Sequence, residues 1–325
     1  MLPFGRIPVQ SVRPLVDGGT RPAKSVEHEE FTVAAQVFRE GHDAVNATAV
    51  LTDPDGVDHH FPMRLDNAGL SWWSATVVAD RPGWWTYRVD GWSDPWATWV
   101  HDATIKVEAG VDTELMLEEG ARMLERSVGT SLALGEPNLV HQAVAALRDT
   151  SRPPLARLRF ATSPDLHTWF ARHPFREMVS PSPAYPLLVE RELALFGAWY
   201  EIFPRSEGAH YDEEAGVWRT GTLRTAAERL PAVAAMGFDV VYLTPVHPIG
   251  TTARKGKNNS LATQDGDPGS PYAIGSPDGG HDSLHPDLGT FEDFDVFVGA
   301  ARRNGLEVAI DIALQASPDH PYVDT

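Results

Sequence analysis

The 325 residues carry a formal net charge of −18, contain no cysteine and are 42% hydrophobic, which is typical of a soluble globular protein of two or three domains. The absence of cysteine excludes disulfide bonds, thiol nucleophiles and cysteine-ligated metals. So acidic a surface repels phosphate backbones and anionic lipids, which makes nucleic acid and membranes poor partners. Neither a signal-peptide pattern nor an apolar run of about 20 residues is present, so we predict a cytoplasmic protein.

Residues 1–105 predict a β-sandwich of immunoglobulin-like type. Apolar and polar residues alternate from Phe31 to Val37, and Asp53-Pro54-Asp55-Gly56 is a strong turn signal. Two interpretations of the region's tryptophans stay open, a stacking surface for sugar rings or packing in the core. Neighbours on a strand point to opposite faces, so one tryptophan of each adjacent pair is predicted to lie in the core. The tryptophans are Trp72, Trp73, Trp84, Trp85, Trp92, Trp96 and Trp99.

Residues 106–186 predict a small helical bundle. Asp112 is a candidate N-cap, and Ser163-Pro164 has the form of a cap followed by proline at the first helical position. The proline-spaced stretch 174–186 predicts an extended connector. No catalytic spacing occurs in this region, so packing or subunit contact is the expected role.

Residues 187–325 predict parallel βα units, because apolar strand patterns alternate with helical ones. Pro231 is expected to split or restart the first helix. Thr290 to Asp293 has the form of a capping box that opens the second. A β/α barrel and a doubly wound sheet satisfy this order equally well. The predicted strands are Trp199–Phe203, Val240–Leu243 and Val308–Ala313.

Four segments of this region resemble the α-amylase superfamily, of glycoside hydrolase 13 type. They are Trp199–Ser206, Gly237–Pro245, His285–Thr290 and Asp311–Gln315. The resemblance implies that residues 187–325 form the first three βα units of a truncated (β/α)8 barrel. It also implies that sugar-binding groups lie where the strands end, since barrels place their sites there.

Within the superfamily, the chain is most similar to the N-terminal portion of the maltosyltransferases that use α-maltose 1-phosphate. The segments that carry this similarity are Lys255–Ser260, Asp267–Pro271, Gly279–Asp282 and Leu314–Pro321. The strand-three signature of the wider superfamily usually ends in Asn-His, whereas this chain has Gln315-Ala316. Alanine cannot replace the histidine contact, which counts against a general amylase and agrees with the maltosyltransferases.

The resemblance implies a donor-binding role for Lys255 and Gln315, with Asn259, Ser270 and Tyr272 as further residues that line the pocket. The physical chemistry is compatible, because lysine donates up to three hydrogen bonds and an amide both donates and accepts. The alternative for the basic stretch around Lys255 is a solvated loop. Tyr272 either stacks on a glucose ring or packs within the loop.

No metal site and no cofactor are predicted. The spacing of His281 and His285 would suit metal ligands on a helix, but Gly279-Gly280 and Pro286 favour a loop. Asp311 is expected to order the end of its strand and to take no part in catalysis.

The function implied by the resemblance is retaining transfer of maltosyl units from α-maltose 1-phosphate to α-1,4-glucan. Retaining enzymes use two carboxylates about 5–5.5 Å apart. The family's pair follows barrel strands four and five, so the catalytic residues are expected beyond Thr325 and the chain is expected to be a fragment. A homodimer through the N-terminal and helical domains is also expected.

Two alternatives to this predicted function stay open. One is another hydrolase or branching enzyme of the superfamily, and the other is a non-catalytic glucan-binding module.

Overall fold

The computed structural model describes residues 6–130 and 138–323. The chain forms two compact units, Met1–Glu192 and Leu193–Thr325, and both contain strands and helices. It is therefore a mixed, sheet-rich multidomain protein. Across the described ranges, every helix is too short or too polar to cross a lipid bilayer.

The first unit begins with β-strands, continues with helices and ends with two further strands. Its strands are β1 (Val9–Arg13), β2 (Ala23–Val26), β3 (Glu30–Val37), β4 (Val45–Thr52), β5 (Asp58–Pro62), β6 (Arg64–Asn67), β7 (Trp72–Val78), β8 (Gly83–Ser93), β9 (Glu177–Pro181) and β10 (Tyr185–Glu190). Its helices are α1 (Pro95–Glu108), α2 (Thr113–Thr130), α3 (Asn138–Arg148), α4 (Pro154–Ala161) and α5 (Pro164–Arg172).

Two sheets of the first unit contribute side chains to one hydrophobic core. Within the described residues, one sheet has four strands in the order β1-β3-β7-β6, and the other has six, in the order β2-β10-β8-β4-β5 with β9 beside β8. Apart from the parallel pair β2 and β10, the strand pairs are antiparallel. Val33 and Val77 of the first sheet and Leu51, Trp85 and Tyr87 of the second belong to the same buried cluster.

The helices of the first unit enclose a second core. Trp96 of α1, Leu124 of α2, Leu147 of α3 and Leu166 of α5 are members of this buried cluster. Arg157 of α4 is also buried, and its Nε donates to the Leu147 carbonyl at 2.8 Å. This bond satisfies a carbonyl near the end of α3 that has no partner within its own helix.

Two expectations for this unit are corrected by the structure. The first helix begins at Pro95, about ten residues before the predicted start of the helical region, because the Asp94 side chain caps the Ala97 amide and Pro95 occupies the first turn. The stretch predicted as a connector instead supplies β9 and β10, which pair with β8. Leu187 of β10 is fully buried in the core formed by the two sheets. Burial of this side chain therefore stabilises the segment as a strand of the sheet.

The second unit contains parallel strands linked by helices. Its strands are β11 (Trp199–Ile202), β12 (His210–Asp212), β13 (Val217–Arg219), β14 (Val240–Leu243) and β15 (Glu307–Ile310), and its helices are α6 (Leu223–Ala227), α7 (Leu230–Ala235) and α8 (Phe291–Arg303). In the described residues, β11, β14 and β15 form a parallel sheet in that order, and β12 and β13 form a separate hairpin. Val233 of α7, Val241 of β14 and Phe297 of α8 pack together as the core.

Candidate functional site

The carboxyl ends of the three parallel strands lie side by side in the second unit. Ile202, Leu243 and Ile310 occupy one register position, and the Asp311 amide donates to the Leu243 carbonyl at 2.9 Å. The segments that follow these strands therefore start from the same edge of the sheet. Ligands of open parallel sheets bind outside the carboxyl ends of the strands, so this edge is the candidate site.

The Asp311 carboxylate lies near the hydroxyls of Tyr242 and Tyr272 at this edge. The nearby Asp311 carboxylate is the main cause that raises the pKa of Tyr242 to about 12, and it also raises the pKa of Tyr272. Both phenols therefore stay protonated at neutral pH. This arrangement agrees with the expected structural role of Asp311.

Three of the residues that the sequence singled out lie together. The Gln315 amide donates to the Tyr272 carbonyl at 3.1 Å, and the Tyr272 amide donates to the Ser270 hydroxyl at 3.3 Å. Gln315 is exposed, and among the described residues its side-chain oxygen accepts no hydrogen bond. The Gln315 oxygen and one amide hydrogen are therefore left for a ligand hydroxyl.

Lys255 and Asn259 lie in the long segment between β14 and α8. Lys255 is half-buried, whereas Asn259 is exposed and has a left-handed backbone with φ of 61°. In the part of the chain that the structure describes, no hydrogen bond or ion pair joins either residue to Gln315 or Tyr272. A pocket shared by Lys255 and Gln315 remains a prediction.

Arg254 anchors the loop that carries Lys255. Its guanidinium donates to the carbonyls of Ile249, Gly250 and Asp267, each at 3.1 Å. These bonds give Arg254 a structural role in the loop that carries Lys255.

Asp319 ties the start of the same loop to the segment that carries Gln315. Its carboxylate accepts hydrogen bonds from the amides and hydroxyls of Thr251 and Thr252, with the Thr252 amide nitrogen at 2.7 Å. The bonds from Thr252 and then those from Thr251 hold the pKa of Asp319 well below its ordinary value of 3.8. The two segments are therefore linked close to the candidate site.

Replacing Asp319 with asparagine is expected to speed amide exchange at Thr251 and Thr252 by about tenfold or more at neutral pH, because the amide loses the charge and one acceptor oxygen. Since the folded pKa of Asp319 is depressed, the stability that this contact contributes is fully present above pH 3.8 and is lost as the pH falls from there through the lower folded pKa. Hydrogen-exchange mass spectrometry of this segment measures both effects. Asp265→Asn, at an exposed position in the same loop, is the control. Unchanged exchange in D319N would contradict the role of Asp319.

Histidines are concentrated beside the candidate site. Both ring nitrogens of His281 make hydrogen bonds. Burial lowers the pKa of His247. Burial, with Arg205 and Arg254 nearby, lowers the pKa of His285 to about 4. Within residues 6–130 and 138–323, no group of three or more acidic or histidine side chains is placed to hold a metal ion.

The seven tryptophans of residues 1–105 are mainly core residues. Among the described residues, five of the seven are at most 7% exposed: Trp73, Trp85, Trp92, Trp96 and Trp99. Trp84 is 63% exposed, whereas the adjacent Trp85 is 2% exposed, which confirms that neighbours in this pair face opposite sides. A sugar-stacking surface built from the whole group is therefore wrong, because burial in the two cores places most of the rings out of reach.

The fold and the strand-end polar cluster define a multidomain protein with a candidate ligand site in its parallel sheet. A sequence profile described as Alpha-1,4-glucan:maltose-1-phosphate maltosyltransferase, domain N/S, matches residues 5–191. This match covers more than half of the chain, so the protein belongs to the α-1,4-glucan:maltose-1-phosphate maltosyltransferase family.

Three relatives named as maltosyltransferases of this kind match 98% of the chain. The identity is 56% over 320 residues for enzyme 1 of Streptomyces coelicolor, which is matched over 46% of its own length. It is 50% for the protein of Arcanobacterium haemolyticum and 45% for that of Mycobacterium tuberculosis, matched over 46% and 48% of their lengths. The chain thus spans about half the length of the curated relatives it matches.

A solved structure of a pullulanase complexed with maltotriose, from Anoxybacillus sp. LM18-11, is also similar. It is 14% identical, the similarity covers 92% of this chain and 34% of that one, and the TM-score is 0.20. A score this low carries no argument about the fold.

Proposed function

We propose that this chain supplies the donor-binding part of an enzyme that transfers maltosyl units from α-maltose 1-phosphate to the non-reducing end of α-1,4-glucan. The observation that carries the proposal is the family membership, together with 56% identity to a named maltosyltransferase over 98% of the chain. The polar cluster at the strand ends supports it, because that edge is where the sheet can bind a ligand.

The proposed architecture has three parts. The strands β1 to β10 form an immunoglobulin-like sandwich, the helices α1 to α5 a helical domain, and the second unit the first three βα units of a (β/α)8 barrel. The shared core of the two sheets supports the first assignment, and the parallel order of β11, β14 and β15 supports the last. A homodimer through the first two parts and a location in the cytoplasm belong to the same proposal.

In the proposed site, Gln315 offers an amide oxygen and a hydrogen to the hydroxyls of the donor sugar, while Lys255 contributes a cation and three donors. A phosphorylated donor carries negative charge, and the chain as a whole carries −18, so the cations of this loop are the local attraction. Ser270, Tyr272 and Asn259 line the pocket around these two residues.

The proposed reaction retains the configuration at the anomeric carbon. One carboxylate attacks that carbon and displaces phosphate, and the other activates the glucan hydroxyl that then receives the maltosyl group. We assign neither role to a residue of this sequence and expect both carboxylates beyond Thr325. We also assign neither role to Asp311 or Asp319; the Asp319 carboxylate is engaged by hydrogen bonds from Thr251 and Thr252.

Incubating the complete polypeptide with maltose 1-phosphate, with and without a linear maltooligosaccharide, tests this function. We expect inorganic phosphate release that depends on the acceptor, and products that grow in maltosyl steps. Free maltose formed equally well without an acceptor would favour a hydrolase. Binding of glucan with no release of phosphate would favour a non-catalytic binding module.

A further inference from the structure

Two histidine rings connect the loop before α8 to the segment after β15. The His281 Nδ1 and the His320 Nε2 are 2.9 Å apart, and the His281 Nε2 lies 2.7 Å from the Ala313 carbonyl oxygen. At the other end, the Tyr322 amide donates to the His320 Nδ1 at 3.1 Å. A continuous chain of hydrogen bonds thus runs from Tyr322 to Ala313.

Backbone groups at both ends fix the direction of this chain. The Tyr322 amide can only donate, so the His320 Nδ1 is unprotonated and the ring hydrogen is on its Nε2. That hydrogen is donated to the His281 Nδ1, which leaves the His281 hydrogen on Nε2, facing the Ala313 carbonyl. Each imidazole therefore has one defined tautomer in this arrangement.

The packing around His320 leaves the pair little freedom. His320 is 2% exposed, and a Cβ added at Gly275 or Gly280 would lie within 2.4 or 2.5 Å of its ring. Both glycines therefore allow the close approach of the backbone to the imidazole. The His281 ring lies 5.0 Å from the His320 ring, between centroids. An imidazole at position 320 is thus held from several sides.

The segment that receives these bonds carries Gln315 and has no strand partner after Ile310. In the described residues, separate hydrogen bonds hold its conformation. The Ser317 amide donates to the Ile274 carbonyl, Thr251 and Thr252 donate to the Asp319 carboxylate, and His281 contacts the Ala313 carbonyl. Between the strand end and Gln315, the backbone is held by the Asp311 amide, which donates to the Leu243 carbonyl, and by the His281 bond at Ala313.

We propose that His281 and His320 are positioning residues for the donor sugar, which act by holding the Ala313 carbonyl so that the Gln315 amide faces the maltosyl group. This inference rests on the proposed function. The pair orients the backbone on one side of Gln315, and the Tyr272 carbonyl orients the side chain itself. Loss of either histidine bond would leave Gln315 present but misplaced.

The test measures kcat/KM for maltose 1-phosphate with the complete polypeptide, for His281→Phe and His281→Gln in the wild-type and the Gln315→Ala backgrounds. Phenylalanine fills the ring volume without a donor, whereas the glutamine amide keeps a donor near the Nε2 position. H281F is expected to lower kcat/KM about tenfold, and H281Q to recover most of it. In the Q315A background, H281F should change kcat/KM by less than about twofold, because its effect passes through Gln315.

His210→Phe, at an exposed histidine of the β12–β13 hairpin, is the control and should match the wild type. If H281F fails to fold, His320→Gln in the same two backgrounds carries the test. Equal losses in both backgrounds, or no loss at all, would overturn the positioning role while leaving the maltosyltransferase proposal intact. A wild-type polypeptide that releases no phosphate would instead overturn the proposed function itself.

Discussion

Replacing Gln315 with alanine in the complete polypeptide is expected to lower kcat/KM for maltose 1-phosphate by about 10- to 100-fold. The substitution removes an exposed amide that bonds to the Tyr272 carbonyl and still has an oxygen and a hydrogen for the sugar. One or two hydrogen bonds to a sugar hydroxyl account for a loss of this size. Lys255→Met, which keeps most of the side-chain length but removes the charge, is expected to have an effect of similar size.

Steady-state kinetics of phosphate release measures both effects. Gln264→Ala is the matched control, since it removes an exposed glutamine from the same long segment outside the proposed pocket. Its kcat/KM should stay within about twofold of the wild type. A Q315A enzyme as active as the Q264A control would remove Gln315 from the donor site.

Replacing Trp85 with alanine is expected to lower the free energy of unfolding of the first unit by about 3–5 kcal/mol, as is usual for a large core aromatic. Trp85 is 2% exposed, belongs to the core shared by the two sheets and donates its indole hydrogen to the Arg81 carbonyl at 3.1 Å. Its removal leaves a cavity and an unpaired carbonyl together.

The adjacent Trp84 gives the matched control. It has the same side chain on the same strand but is 63% exposed, so Trp84→Ala should change stability by no more than about 0.5 kcal/mol. Urea unfolding of this chain, monitored by far-UV circular dichroism, compares the two variants. Similar losses for W84A and W85A would contradict the assignment of Trp85 to the core.

The elements that the sequence predicted well are those with a local signal. Val240–Leu243 is a strand with the predicted bounds, and Thr290 forms its capping box with Asp293. The helical pattern around Pro231 is divided into α6 and α7, with the proline in the first turn of α7. In each case, residues within a few positions of one another determine the backbone conformation.

The elements that the sequence missed depend on partners far along the chain. The strand β10 is short and contains a proline, so its sequence gave no clear helix or strand pattern, and its conformation is set by pairing with β2 and β8. The start of α1 had a local signal in Asp94-Pro95, which the tryptophan-rich strand pattern before it obscured. Tertiary context overrode local preference at both places.

In the candidate site too, residues with a local sequence signal could be predicted, whereas contacts between distant parts of the chain could not. Gln315 and Tyr272 could be singled out from their motifs, but the bond between them joins positions 43 residues apart. The His281–His320 contact, over 39 residues, carries no periodicity or motif that would predict it. His281 and His285 have a spacing that would suit metal ligands in the sequence, whereas both His281 nitrogens are engaged, one with His320 and one with the Ala313 carbonyl.

The most direct test of the central claim is an experimental structure of the complete polypeptide with maltose 1-phosphate bound. We expect the Lys255 ammonium and the Gln315 amide to lie within about 3 Å of oxygens of the same donor molecule, beyond the ends of β14 and β15. A donor bound elsewhere, or Lys255 and Gln315 on opposite sides of the molecule, would contradict the account.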